Sequence, residues 1–345
     1  MSALAVRRLG FFSRLLDRAS AAERYRLALA QIVHAERCGF DLAWIAQHHF
    51  HEGEGGLPAP FVFLAQAAAS TSRIRLGTGI VTLPLELPIR VAEDAAVLDL
   101  MCDGRLEVGV GPGGNLTAFT AFGLNSDQRH RIFADNLELL RTAWSGGALP
   151  GGDRLYPPAD PGLVDRIWQA TFTVEGSRRA GAAGDGLMLS RTQPRPIDRP
   201  GASLADIQEP MIDAYLAALP AGRAPRILAS RTVYVADDRQ EALRFAEIGL
   251  QRMRARLAAT GDPAAGGLVG DLIAAFDVHI GTPDEVIASL LADRTLLHAT
   301  DLTVQVHSID PPHPYILRSI ELVAEKVAPA LGWKRSDAAG VRRVA

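Results

Sequence analysis

Eight short β-rich runs, each followed by at least one helical stretch, predict a closed (β/α)8 TIM barrel with inserted loops. Residues 73–83 (RIRLGTGIVTL) form an almost unbroken β-branched run. Such a strand is buried on both faces, as in a parallel sheet covered by helices. The length of 345 residues would by itself suggest two or three domains, but the βα units account for it end to end. Residues 1–335 are therefore expected to be one barrel domain, with 336–345 as a flexible tail.

The first strand is residues 8–13 (RLGFFS), and the helix at 22–37 stops at Cys38-Gly39-Phe40. The second strand, 42–46 (LAWIA), leads to an apolar helix at 59–69, and the third, 73–83, to a helix at 89–101. The fourth, 106–110 (LEVGV), precedes a long helix near 127–144. Residues 146–161 (GGALPGGDRLYPPADP) have linker composition, but βα alternation resumes directly after them, so they read as a long connection. Strand, helix and strand follow at 167–174, 176–183 and 186–190, then a helix at 204–218. The seventh strand, 227–235 (ILASRTVYV), is followed by a helix at 240–256 and a Gly/Ala/Pro-rich break near 261–270. Thr282-Pro283-Asp284-Glu285 opens another helix, with a capping Thr, Pro at the first position and acid in the first turn. The eighth strand is 301–307 (DLTVQVH), and a helix over 314–331 closes the fold.

A net charge of −3 offers no global attraction to nucleic acid or an anionic membrane. Two cysteines, Cys38 and Cys102, make no disulfide scaffold. Of the 36 basic residues only Lys326 and Lys334 are lysine, so a Walker-type phosphate loop and an internal Schiff base are excluded. No apolar run reaches the roughly 18–20 residues of a membrane span. The N-terminus lacks a signal-peptide pattern, so the expectation is a cytoplasmic protein.

Barrel enzymes work at the C-terminal ends of their strands. After the second strand come Gln47-His48-His49-Phe50-His51-Glu52-Gly53-Glu54, rich in groups for acid–base work or charge stabilisation near neutral pH. A metal reading is disfavoured because adjacent His48 and His49 point opposite ways in extended chain, and no metal site is expected. A His-rich surface loop is the plain alternative. After the fourth strand, Gly109, Gly111 and Gly114 satisfy G-x-G-x-x-G, but on the wrong strand, and Pro112 removes a donor from the cradle. The following LTAFTAFGL is a poor helix opening. These glycines allow backbone to approach a flat or anionic ligand, or form only a tight turn. After the fifth strand, Glu175-Gly176-Ser177-Arg178-Arg179 reads as an anion site at a helix start, or as a capped helix with solvated arginines. Ser190-Arg191 and Gln305-Val306-His307 put polar groups at the mouth. Cys102 and His34 read as structural.

Several strings resemble the bacterial luciferase-like flavin monooxygenase superfamily: residues 38–50 (CGFDLAWIAQHHF), 73–84 (RIRLGTGIVTLP), 88–99 (PIRVAEDAAVLD), 104–111 (GRLEVGVG), 281–287 (GTPDEVI) and 319–329 (SIELVAEKVAP). They run in order along nearly the whole chain. The resemblance implies a barrel with insertions, usually dimeric and here expected to be a homodimer. It also implies FMN as a diffusible reduced substrate supplied by a separate flavin reductase. It places His48 beside the flavin ring as the catalytic histidine. It places Thr78, Gly79 and Ile80 under the ring, with a non-proline cis peptide at Gly79–Ile80. Gly111, Gly113 and Asn115 would lie beside the ribityl chain, and Glu175, Gly176, Ser177 and Arg178 at the FMN phosphate. His49, Arg191, Gln305 and His307 would line the substrate pocket.

Three departures stand out. Pro112 replaces a phosphate-binding arginine of some members, leaving Arg178, Arg179 or Arg191 to supply charge. Gly111 replaces the luciferase-type cysteine, and the long inserts of light-emitting members are not evident. The expectation is a two-component FMN-dependent monooxygenase, not a luciferase. It would oxygenate a small organic substrate with O2 through a C4a-peroxyflavin. The alternatives are a deazaflavin-dependent hydride-transfer enzyme on the same barrel, a catalytically silent flavin-binding protein and a zinc hydrolase using His48, His51 and Glu52.

Overall fold

The computed structural model describes residues 7–196, 198–199, 201–259 and 263–335; the expected tail at 336–345 lies outside them. Its strands are β1 (Arg8–Ser13), β2 (Leu42–Ile45), β3 (Arg75–Thr82), β4 (Leu106–Gly111), β5 (Ile167–Ala170), β6 (Gly186–Leu189), β7 (Ile227–Val235), β8 (Val278–Gly281) and β9 (Asp301–Gln305). β1 through β7 pair in sequence, and β9 joins β7 to β1, which closes a barrel of eight parallel strands.

The ninth strand was not anticipated. β7 is long enough to serve two neighbours: Leu228–Thr232 pair with β9, and Thr232–Val235 run on to pair with β8 outside the barrel. Four residues (VHIG) between a Gly/Ala-rich break and a helix start carry too little periodicity to stand out.

The helices are α1 (Ala21–Cys38), α2 (Pro60–Ser70), α3 (Pro88–Met101), α4 (Leu116–Ala121), α5 (Arg129–Trp144), α6 (Val174–Ala182), α7 (Leu204–Ala218), α8 (Arg239–Gln251), α9 (Arg254–Ala259), α10 (Val269–Ala275), α11 (Pro283–Leu291), α12 (His313–Leu322) and α13 (Ala328–Ala330). α1 begins where the Ser20 side chain accepts from the Glu23 N–H and ends at Gly39, whose φ of 100° suits glycine. At α11 the Glu285 side chain accepts from the Thr282 N–H at 2.9 Å. The predicted helix at 240–256 is split into α8 and α9. The poor opening LTAFTA does form a short helix, because the Asn115 side chain accepts from the N–H groups of Thr117 and Ala118. The fifth strand stops at Ala170, four residues early, because Thr173 caps α6 through a bond from the Gly176 N–H.

The barrel interior is layered. At the N-terminal floor, Glu107 accepts from Arg8 at 3.0 Å, Arg75 at 2.7 Å and the Trp168 indole at 2.7 Å, while Arg8 also reaches Asp301 at 2.5 Å. Burial alone would raise the Glu107 carboxyl, but Arg8 and Arg75 outweigh it and hold the group below its ordinary range. Above the floor, Trp44 and Trp168 meet edge to face at 5.8 Å. Gly77 and Gly186 make room for them.

Candidate active site

The C-terminal strand ends form a mouth floored by small residues. Gly79, Gly109, Gly111 and Ala170 replace bulk with backbone, flanked by Phe12 and Ile80. A Cβ at residue 111 would sit 2.8 Å from Ile80 Cδ1, and one at residue 79 would sit 2.5 Å from Phe12 Cε2. The Gly79–Ile80 peptide is cis, as the resemblance implied; His307–Ser308 is a second non-proline cis bond, which the sequence did not reveal. Thr78 is fully buried, and its hydroxyl exchanges bonds with the Gly109 backbone at 2.8 and 2.9 Å.

His48 follows β2, and its backbone N–H donates to Leu57 O at 2.9 Å. Its Nε2 lies 2.9 Å from Nη2 of Arg14, the residue after β1. A guanidinium only donates, so Nε2 accepts and the imidazole proton sits on Nδ1. Burial, reinforced by Arg14, His307 and His49, pushes this imidazole down to about 3. Residues 49–57 fold over it: a Cβ at Gly55 would lie 2.6 Å from His48 Nδ1. Arg14 also donates to Glu54 O, and Arg24 of α1 to Glu52.

The loops after β2 and β4 are latched together. Asn115 donates to the Glu54 carboxylate at 2.7 Å, and His51 lies 3.2 Å from the Thr117 hydroxyl. Gly113, with φ of 81°, turns the chain into this latch. Beside it, the His49 ring meets Phe122 edge-on at 5.0 Å, and Phe122 meets exposed Phe50 at 5.8 Å. Gln47 ties β2 to β3, accepting from the Thr82 N–H at 2.7 Å and donating to Glu86 at 2.6 Å.

Across the mouth, Gln305 donates to Ser230 at 2.9 Å, and buried Arg191 donates to Thr232 at 3.1 Å and Ser308 at 3.4 Å. His307 Nδ1 lies 2.8 Å from the Asp310 carboxylate. Burial pushes His307 down to about 4, against the upward pull of Asp310. Among the described residues, His48 Nδ1, His49 Nε2 and Gln305 Oε1 are buried without a protein partner.

The α6 start differs from its reading in the sequence. The helix begins at Val174, so Glu175 and Gly176 lie in its first turn, whereas Ser177 is fully buried and its hydroxyl donates back to Thr173 O at 3.2 Å. Arg178 pairs with Glu175 on the exposed face, and Arg179 lies over the Phe133 ring at 5.3 Å. Anion-binding capacity there lies in the N–H groups of the first turn.

Sequence reasoning thus grouped His48, His49, Thr78, Gly79, Ile80, Gly111, Arg191, Gln305 and His307 at one mouth; it named Gln47 only as part of the loop string, and it missed Arg14, Gly55 and Asp310. Arg14 was findable by the rule applied to the other strands, because it directly follows β1. Among the described residues, no group of three or more His, Cys, Asp or Glu side chains could hold a metal ion. No helix is long and apolar enough to cross a membrane among them. Cys38 and Cys102 are free thiols. His34 links α1 to α12 through Glu321 at 3.1 Å, a structural contact.

The luciferase-like monooxygenase family model matches residues 10–299. The chain belongs to that family. This luciferase-like chain is 29% identical to a 4-hydroxyprotoasukamycin monooxygenase of Streptomyces nodosus subsp. asukaensis, covering 85% of this chain and 83% of that one. It superposes on the crystal structure of monooxygenase RslO1 from Streptomyces bottropensis with a TM-score of 0.74 at 28% identity, covering 93% and 99% of the two chains. A shorter match, 31% identical over 52% of this chain and 57% of the other, is to an F420-dependent glucose-6-phosphate dehydrogenase of Beutenbergia cavernae. Family membership makes the protein an oxidoreductase of the monooxygenase class.

Proposed function

We propose that the protein is the oxygenase of a two-component system, using reduced FMN from a separate flavin reductase and O2 to oxygenate a small organic substrate. The observation that carries this is the similarity to monooxygenases over most of the chain, joined to a glycine-floored mouth with buried, unpaired polar atoms at its edge. Reduced flavin supplies activation of O2, which a monooxygenase requires of its cofactor; that favours FMN over the deazaflavin of the shorter match.

The residues fit a flat ring. Gly79, Gly111 and Ile80 offer a floor on which side chains would intrude, and His48 stands at the edge as an uncharged donor through Nδ1. Thr78 braces the floor through the Gly109 backbone. Gly113 and Asn115 would flank a ribityl chain, and the first turn of α6 would offer the N–H groups of Val174 and Glu175 to a phosphate, the Gly176 N–H being held by Thr173. Ser177 and Arg178 would assist only after turning from their present partners. His49, Arg191, Gln305 and His307 remain for the organic substrate. The latch between the loops after β2 and β4 would hold them over a bound flavin, and limiting water there favours oxygen transfer.

A homodimer accompanies this reading. α2 and α3 are neighbours, and Val62, Val97, Leu100 and Met101 stand exposed on them, a surface suited to a second copy.

Anaerobic fluorescence titration with reduced FMN and with reduced F420 tests the cofactor. Tighter binding of FMN is expected, and tighter binding of F420 would sink the proposal. Admitting O2 to the FMN complex then tests for a silent binding protein. Peroxide release that is unchanged in His48→Ala would favour that reading, whereas faster release in the variant is expected.

A further inference from the structure

The mouth holds two histidines whose basic nitrogens meet opposite fates. Nε2 of His48 is committed to the Arg14 guanidinium at 2.9 Å, so that imidazole cannot take a proton without facing a cation. His307 is built the other way. Its Nδ1 lies 2.8 Å from Asp310 Oδ2, and a carboxylate only accepts, so the Nδ1 proton points at Asp310 and the lone pair sits on Nε2. Arg252 of the turn after α8 holds the same Asp310 oxygen at 3.1 Å. Nε2 of His307 meets no hydrogen-bonding partner among the described residues.

The position of His307 follows from β9. Asp301 reaches Arg8, Thr303 sits against Gly10, and Gln305 reaches Ser230, so alternate residues of β9 face the barrel interior, and His307, two residues past the strand, lies at its mouth. A small cavity of about 20 Å³, room for one water, lies against Ser13, Arg14, His307 and Asp310.

We propose that His307, oriented by Asp310, is the proton acceptor of this site, and that His48, held by Arg14, is a fixed hydrogen-bond donor that does not exchange protons in the reaction. The substrate class that suits this pair carries a hydroxyl whose proton must leave. The O–H bond breaks heterolytically, the electron pair stays on oxygen, and the proton goes to Nε2 of His307. The resulting imidazolium is compensated by the Asp310 carboxylate. The Asp310 carboxylate keeps the tautomer and raises the basicity that burial lowers, the direction general-base work requires. The charged and titratable groups around His307 are Asp310 on its own loop, Arg252 beyond it, Arg191 after β6, Arg14 and Asp17 after β1 and His48 after β2. This assignment rests on the monooxygenase reading only for the chemistry of the substrate.

The test is an NMR titration of the full chain with 13C- and 15N-labelled histidine, without flavin, the two resonances being assigned from His48→Gln and His307→Gln. Both rings are expected as Nδ1–H tautomers at neutral pH, with His307 protonating at higher pH than His48. Asp310→Asn should move the His307 midpoint down by a pH unit or more, and Arg14→Gln should move that of His48 up. Circular dichroism of each variant separates these shifts from unfolding. If His48 protonates first, or Asp310→Asn leaves His307 unmoved, the assignment is overturned. Because no flavin is present, this result is independent of the FMN titration.

Discussion

A Cβ at residue 77 would lie 2.2 Å from Cε3 of Trp44, so this glycine on β3 is the space into which the β2 indole fits. Gly186 on β6 stands in the same relation to Trp168, again at 2.2 Å. Overfilling such an interior costs about 1–3 kcal/mol. Gly77→Ala and Gly186→Ala are each expected to lower the calorimetric Tm by several degrees. Gly53→Ala, with nothing within 4 Å of the added carbon, is expected to leave it within error. Equal Tm values for all three would refute this packing account.

The floor of the barrel depends on Glu107. Replacing it with Gln keeps the shape but leaves Arg8 and Arg75 without their shared charge, and removing one member of a buried ion pair costs about 3–5 kcal/mol. The lower end applies, because both arginines keep some contact with water. Urea unfolding of Glu107→Gln should show an earlier midpoint with an unchanged slope. A midpoint equal to wild type would mean that Asp301 alone neutralises the floor.

Asn115 does two jobs, capping α4 and latching Glu54. Asn115→Ala should lose about 1 kcal/mol of cap and also loosen the loop after β2. Hydrogen exchange should therefore quicken in residues 49–57 as well as in α4. Faster exchange confined to α4 would show that the latch carries no restraint.

Burial pushes His279 on β8 down to about 4, with Arg231 adding to the effect and Asp293 opposing it. Its neutral ring lies 2.8 Å from the Ser289 hydroxyl. In the unfolded chain the same group titrates near 6.5. Stability from this residue is thus complete above about pH 6.5 and declines as pH falls toward 4, where the unfolded chain holds a proton that the native one lacks. Its full loss is of order 3 kcal/mol. His279→Gln should flatten the fall in unfolding free energy between these pH values by nearly one proton, and an unchanged slope would contradict the assignment.

The barrel was legible because each of its eight strands carries its own signal. Leu42–Ile45 is an apolar run, Ile227–Val235 is β-rich at both ends, and cap residues such as Ser20 and Thr282 mark helix starts locally. The mouth was legible in part for the same reason: strand ends are positions in sequence, and His48, Arg191 and His307 all lie just past them. β8 was not, because four residues gain strand character only by pairing with the far half of β7.

The sequence by itself determined the closed parallel barrel and the family, since local periodicity and strand-end residues encode these. Only the tertiary structure decided what each polar group does. Arg14 and His48 are 34 residues apart, so nothing local shows that one fixes the proton of the other. Ser177 reads as a hydroxyl of an anion site but turns inward, since a helix that starts at Val174 offers it the Thr173 carbonyl. Hydrogen-bond direction depends on which partners closure brings within about 3 Å, and that is a property of the folded barrel.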